Sequence, residues 1–166
     1  SAFYLKNVQG LDGNSVDPSI KGAHVHAWGA GATIDLGNSG LNIDGDFIQT
    51  RGNRDLGHAN LWTAGLNYGK VDLNKPGSFT LGVHYVRADA GAYLLGNSAL
   101  DMTDQLEYGW DNGTGVKFWV AKAGVAVQKN VELDAYYNFG AKAFDRYDDS
   151  TKDPANTWGV ELNYAF

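Results

Sequence analysis

The side chains best suited to bind a metal ion near the N-terminus are two histidines. His24 and His26 lie two residues apart, so on a β-strand they would share one face and could supply two ligands. No third ligand is evident nearby, and histidine is also common at the rims of barrels. We therefore interpret this pair as structural and predict no metal site here.

Four aspartates near the C-terminus, Asp145, Asp148, Asp149 and Asp153, raise the possibility of calcium binding. Carboxylates suit calcium, but this segment lacks the regular spacing and the turn glycine of a calcium-binding loop. A solvated polar loop is the better interpretation, and we predict neither a metal nor a cofactor.

Several classes of enzyme and binding protein are disfavoured by composition. The chain has no cysteine, which removes disulfides and thiol chemistry. Gly29-Ala30-Gly31 lies within a strand pattern with no helix after it, unlike a phosphate loop. No nucleophile elbow is present. The net charge of −6 argues against nucleic acid as a partner. We predict that the protein is not an enzyme.

The elements that would position any site are β-strands. The last nine residues alternate without a break, with Trp158, Val160, Leu162, Tyr164 and Phe166 on the apolar side. The same period of two predicts about eight strands along the chain. They cover residues 2–9, 22–36, 41–51, 58–71, 78–88, 114–128, 131–143 and 158–166.

Connection lengths alternate along the chain. Those at 37–40, 72–77 and 129–130 are short, the one at 52–57 is of medium length, and those at 10–21, 89–113 and 144–156 are long. The longest of them contains a predicted helix over residues 98–107, with Ser98 as its N-cap. Short turns on one side and long loops on the other are typical of outer-membrane β-barrels. The longest loop is expected to fold inward or to cap the outer mouth.

The two faces of the predicted strands differ in chemistry. One face carries small and polar residues, which we predict to face a lumen: Asp44, Asp46, Thr63, Asn67, His84, Glu132, Asp134, Tyr136, Asn138, Glu161 and Asn163. Buried carboxylates there would need partners such as Lys117, Lys142 or His84.

The opposite face is apolar, with aromatic residues near the strand ends. Two girdles at the membrane interfaces are predicted from them: Trp62, Tyr68, Phe79, Tyr85, Tyr137, Phe139, Trp158, Tyr164 and Phe166. Val116, Phe118 and Val120 are also predicted to face outward, although a bulge near Lys122 could exchange the faces later in that strand.

A resemblance adds to this interpretation. Residues 128–144 (QKNVELDAYYNFGAKAF) and the ending TWGVELNYAF resemble the C-terminal hairpins of porins from diderm Firmicutes. Members of that family carry an S-layer-homology domain that tethers the outer membrane to the cell wall. This domain is absent from the sequence, so cell-wall binding is not carried over. The family also has more strands than the chain supplies, so residues 1–166 form either a complete small barrel or the C-terminal part of a larger one.

The predicted fold is therefore an all-β, antiparallel up-and-down transmembrane β-barrel of about eight strands. The expected function is a porin-like passive channel for small hydrophilic solutes in the bacterial outer membrane, with a weak preference for cations. The expected partners are outer-membrane lipid and, through the C-terminal strand, the barrel-assembly machinery.

Three alternatives remain open. The chain could form a small closed barrel with a structural or adhesive role in its outer loops, and interlocking of Tyr136, His84, Trp119, Glu161 and the lysines would indicate it. A soluble barrel for an apolar ligand would need its apolar faces inside. A barrel-borne lipase or protease is the least favoured.

Overall fold

The computed structural model describes residues 1–8, 25–52, 58–90, 92, 103–145 and 150–165. Eight strands and one α-helix make up this part of the chain. The strands are β1 (Ala2–Val8), β2 (Val25–Asp35), β3 (Leu41–Gly52), β4 (His58–Gly69), β5 (Phe79–Ala88), β6 (Gly115–Gln128), β7 (Val131–Phe144) and β8 (Thr157–Tyr164), and the helix is α1 (Thr103–Asp111).

All strands belong to one antiparallel sheet in which each strand pairs with its neighbours in the sequence, in the order β1 to β8. The predicted all-β, up-and-down architecture is confirmed, and the strand bounds lie within a few residues of those predicted. Within the described ranges, β1 pairs only with β2 and β8 only with β7, and no ladder joins β1 to β8.

The connections divide the sheet into two edges. The turn edge holds residues 36–40, 70–78 and 129–130. The turn 70–78 is bonded to the next turn and to β6: Asn130 donates its backbone N–H to the Leu73 carbonyl at 2.9 Å, and Gly77 donates to the Ala126 carbonyl at 2.7 Å. The loop edge holds the connections after β3, β5 and β7. The predicted division of the connections between two edges is present, but their lengths do not separate fully, because 53–57 at the loop edge is shorter than 70–78 at the turn edge.

The two faces of the sheet follow from its register, because directly opposed residues point the same way. We call the face on which α1 lies the inner face and the other the outer face. Leu66, Leu81, Val83 and Val160 are among the exposed side chains of the outer face, and Trp158 there is 74% exposed. Large apolar side chains therefore lie on the more exposed face of this sheet.

Strand β6 departs from the prediction. Val116, Phe118 and Val120 are buried on the inner face, with Phe118 and Val120 at 0% exposure. The register explains this, since Phe118 lies opposite Val86 and Val120 lies opposite His84. The prediction that these three residues face outward was wrong, because the sequence does not reveal that α1 covers an apolar part of the inner face.

Irregularities in the β6–β7 pairing lie near both ends of β6, between Lys117 and Trp119 and between Ala126 and Gln128. The expected bulge near Lys122 is absent from this described hairpin. Gly140, with a φ of 64°, lies opposite the first irregularity. A positive φ suits glycine at a bulge, and the extra residue keeps Ala141 and Ala143 on the buried inner face.

Helix α1 packs on the inner face against β6. Leu106 belongs to a buried apolar cluster with Val86, Val116, Phe118 and Val120. Gly109 lies against the start of β6, where an added Cβ would lie 3.0 Å from the Thr114 carbonyl oxygen and 3.1 Å from Val116 Cγ1. The helix begins later than the predicted residues 98–107, and Ser98 lies outside the described residues. No helix in the described ranges is long and apolar enough to cross a membrane.

The packing of Leu106 generates a prediction for the docking of α1. Leu106→Ala removes buried methyl groups, which costs about 2–5 kcal/mol in a well-packed core. We expect the amide protons of α1 to exchange at least about 30-fold faster, the factor that corresponds to 2 kcal/mol. Hydrogen exchange with mass spectrometry measures this, and peptides from the β2–β3 hairpin should be unchanged.

Glu107→Ala is the matched control, because Glu107 is the adjacent helical residue and is exposed. Its exchange rates should remain those of the natural protein. Equal exchange in the two variants would contradict the assignment of Leu106 as the anchor of α1.

Candidate functional site

The inner face brings together the polar residues that the sequence assigned to a lumen. The register places them all on this face, which they share with Phe118 and Val120. They are Asp44, Asp46, Thr63, Asn67, His84, Glu132, Asp134, Tyr136, Asn138, Glu161 and Asn163. Their common face is a structural fact, whereas the lumen stays a prediction.

A hydrogen-bonded cluster crosses β3, β4 and β5 on the turn-edge half of this face. His84 Nδ1 lies 3.4 Å from the Asp44 carboxylate, and His84 Nε2 lies 2.9 Å from Asn67 Oδ1. Asn67 donates its amide to Asn42 Oδ1 at 2.9 Å and to Asp44. The His84 and Asp44 side chains are 15% and 21% exposed, so the cluster is accessible to water.

Glycines on the neighbouring strands let these side chains lie sideways across the sheet. A Cβ added at Gly65 would collide with the His84 ring, and one added at Gly82 would lie 3.1 Å from His84 Nε2. Gly65 stands directly between Asp44 and His84 in the register. The absence of a side chain there therefore allows the histidine on β5 to reach the carboxylate on β3.

A second polar group lies on β7 and β8. Asp134 is directly opposite Glu161, and it accepts a hydrogen bond from Asn163 Nδ2 at 2.8 Å. Glu132 lies opposite Asn163 on the same face. Carboxylates facing each other across a strand pair repel unless water screens them, so this half of the inner face is expected to be hydrated.

Cationic partners for these carboxylates are fewer than predicted. His84 pairs with Asp44 as expected. Lys117 and Lys142 do not face the carboxylates, because the register places both lysines on the outer face, opposite each other. Lys122 is on the inner face, between Gly82 and Tyr136. The described inner face is therefore acidic.

The loop-edge half of the inner face is closed by α1 and a buried polar cluster. Asn138, at 0% exposure, donates its amide to Gln105 Oε1 at 2.9 Å and to Thr157 Oγ1 at 3.1 Å. Gln105 in turn donates to Thr157 Oγ1 at 2.9 Å and to the Ala155 carbonyl at 3.1 Å. These bonds tie α1 to β7 and β8 and complement its apolar contact with β6.

Sequence reasoning missed the roles of Gln105 and Leu106. The available signal was the short amphipathic segment within a long polar loop. An isolated helix of this length is marginal in water, so its presence depends on tertiary packing.

The aromatic residues assigned to membrane girdles lie on the outer face in two groups. The loop-side group is connected by ring contacts: Trp62–Tyr85 at 5.2 Å, Tyr85–Trp119 at 5.0 Å and Tyr137–Phe139 at 5.5 Å. Trp158 lies opposite Tyr137 on β8. The turn-side group contains Tyr68 and Phe79, whose rings are 6.1 Å apart, and Tyr164, whereas Phe166 lies outside the described residues.

Trp119, one of the residues whose interlocking would indicate a closed barrel, lies on the outer face. It is 43% exposed and contacts Tyr85 on the outer face. It therefore extends the loop-side aromatic group to β6 and takes no part in filling the inner face.

The candidate metal-binding segments are only partly described. His24, Asp148 and Asp149 lie outside the described residues. Asp153 accepts hydrogen bonds from Lys142 Nζ and from the Ala143 backbone N–H, each at 3.0 Å. Within the described ranges, no three histidine, aspartate or glutamate side chains form a group that could hold a metal ion.

Comparisons with known proteins do not assign the chain to a family. No family model matches the sequence, and no curated protein matches it.

The close approach of His84 to Gly65 generates a test of the inner-face cluster. Gly65→Val would place a branched side chain where the His84 ring lies, which displaces the ring from Asp44. We expect the free energy of unfolding to fall by about 1–3 kcal/mol, the usual cost of overpacking. Urea unfolding of the refolded protein in detergent measures it.

Ala64→Val is the matched control, because Ala64 is the adjacent residue of β4 and is exposed on the outer face. It should change stability by less than about 0.5 kcal/mol, as is usual for exposed positions. If Gly65→Val were equally neutral, the proposed dependence of the His84–Asp44 contact on this glycine would be wrong.

Proposed function

We propose that the chain forms the wall of an outer-membrane β-barrel that acts as a porin-like passive channel for small hydrophilic solutes. The supporting observation is the distribution of side chains between the two faces, which is the reverse of that in a water-soluble β-barrel. Leu66, Leu81, Leu162 and other large apolar residues are exposed on the outer face, while carboxylates line the inner face. A bilayer satisfies such an outer face, and water inside a barrel satisfies such an inner face.

The proposed orientation follows from the two edges of the sheet. The turn edge would face the periplasm and the loop edge the exterior, as in outer-membrane barrels with short periplasmic turns. The two aromatic groups, at the loop side and the turn side of the outer face, would then lie at the two membrane interfaces. Lipid is one proposed partner, and the barrel-assembly machinery, acting through the C-terminal strand, is the other.

The acidic inner face supports a preference for cations. Asp44, Asp134 and Glu161 would line the path of a solute on the turn-edge side, together with Asp46 and Glu132. Rings of carboxylates attract cations and repel anions in channels. Helix α1 would narrow the same path from the loop-edge side, because it packs on the inner face.

One observation favours a second candidate, a closed barrel with a structural or adhesive role in its outer loops. The loop-edge half of the inner face is dry, with Val86, Phe118, Val120 and Asn138 all at 0% exposure beneath α1. In a narrow barrel this packing would leave no continuous path for water. The two candidates differ in whether ions cross the protein with α1 in place.

Conductance in planar bilayers tests the channel. We expect discrete steps from the refolded protein and a higher permeability for potassium than for chloride. The double variant Asp44→Asn/Asp46→Asn should lower the permeability ratio on the order of twofold, because it removes two lining charges that water and salt already screen. Reversal potentials in a salt gradient measure the ratio.

Asp72→Asn is the control, since Asp72 is exposed in a turn outside the sheet and the amide keeps the acceptor for the Asn74 backbone N–H. It should leave the ratio unchanged. If the folded, monodisperse natural protein does not conduct but the Leu106→Ala variant does, the open channel is rejected and the closed barrel is supported. Absence of conductance in both forms would reject the channel altogether.

A further inference from the structure

A cluster of cations interrupts the apolar outer face near the loop edge. Arg87 on β5 lies directly opposite Lys117 on β6, and Lys117 lies directly opposite Lys142 on β7. We call these three residues the basic row. Like charges directly opposite one another destabilise a sheet. Their alignment therefore requires compensating anions beside the row.

Aromatic side chains border the basic row on both sides. Tyr85 and Trp119 come two residues before Arg87 and two after Lys117 in their strands, and these two rings contact each other at 5.0 Å on the turn-edge side. On the loop-edge side, the Arg87 guanidinium lies 4.3 Å from the ring centre of Phe144. Phe144 occupies the space above Gly115, where an added Cβ would lie within 3 Å of the ring.

Two carboxylates also lie at this row. Asp89 is 3.8 Å from Arg87 Nε, and Asp153 is 3.0 Å from Lys142 Nζ. For Lys117, the described residues contain no ion-pair partner. The five charged groups therefore keep a positive excess, centred on Lys117. Arg87 and Lys142 are 41% and 62% exposed, so their charged ends are accessible from the outer face.

The depth of the basic row indicates which anion it meets. Aromatic groups such as Tyr85 and Trp119 lie at the boundary between the acyl chains and the headgroups of a bilayer. A step of two residues along a tilted strand adds about 5 Å along the membrane normal. The basic row therefore lies at the level of the lipid phosphates, on the side of the long loops.

We propose that Arg87, Lys117 and Lys142 bind the phosphate of an anionic lipid headgroup in the leaflet that the loops face. The site rests on the proposed function, because it requires the outer face to contact lipid. Arginine and lysine are the side chains that recognise phosphate, and the neighbouring aromatic rings would contact the upper parts of the acyl chains. A protein of net charge −6 without such a site would repel anionic lipid.

Quenching of tryptophan fluorescence by brominated lipids tests the site. The protein is reconstituted in vesicles of phosphatidylcholine mixed with phosphatidic acid, and either the zwitterionic or the anionic lipid carries brominated chains. We expect the anionic lipid to bind about fivefold more strongly, the effect of one uncompensated cation near the surface. Trp62 and Trp119 lie beside the row and report the contact.

In the double variant Lys117→Gln/Lys142→Gln, the affinity for the anionic lipid should fall to that for the zwitterionic lipid or below it. Lys117→Arg should retain the preference, because the guanidinium also binds phosphate. The control Lys70→Gln/Lys75→Gln removes the same charge from exposed positions at the turn edge and should keep the preference. The single variant Lys117→Gln should reduce the preference for anionic lipid. It replaces the double variant if that variant does not regain the circular dichroism of a β-sheet.

The outcomes separate this site from the proposed function. Quenching by brominated phosphatidylcholine without an anionic preference would overturn the site and leave the membrane assignment intact. A preference that survives in the neutralised variants would also overturn the site. No quenching by either lipid would reject both proposals. Loss of the preference on adding millimolar inorganic phosphate, with the ionic strength held constant, would show that the row takes free phosphate and would overturn the lipid assignment.

Discussion

The antiparallel register of the sheet is the constraint on which the other features depend. Side chains alternate with a period of two, so a slip of one residue would move every side chain of a strand to the opposite face. The pairing from β2 to β5 runs without irregularity, and the bulge at Gly140 shifts the alternation of β7 by one residue, which places Ala141 and Ala143 on the inner face. This register places the large exposed apolar side chains on the outer face and carboxylates such as Asp44 and Asp134 on the inner face.

The inner face has two halves with different physical character. Near the turn edge, glycines such as Gly65 let polar side chains cross to the next strand, so His84 reaches Asp44 in a partly hydrated cluster. Near the loop edge, Phe118 and Asn138 are dry because α1 covers them. The same helix bonds to β7 and β8 through Gln105. In the proposed channel, a solute would meet charge and water on one side and a packed helix on the other.

The outer face is organised in bands, which the proposed function relates to the layers of a bilayer. Leucine, valine and alanine occupy its centre, aromatic rings border the centre, and the basic row lies beyond the rings of Tyr85 and Trp119. The bands follow from the strand geometry, because successive side chains on one face are two residues apart along the strand. The proposals for the channel and for the lipid phosphate use opposite faces of the same strands, which is why a single register supports both.

The sequence by itself determined the strands, the lengths of their connections and the residues that share the polar face, because alternation and turn chemistry are local properties. It also located His84 and Asp44 on one face. It did not determine the face of Val116, Phe118 and Val120, since an apolar run fits lipid and a helix-covered interior equally well. Only the tertiary structure decided that α1 docks there through Leu106 and Gln105. The alignment of Arg87, Lys117 and Lys142 likewise required the register, because contacts between strands depend on residues distant in the sequence.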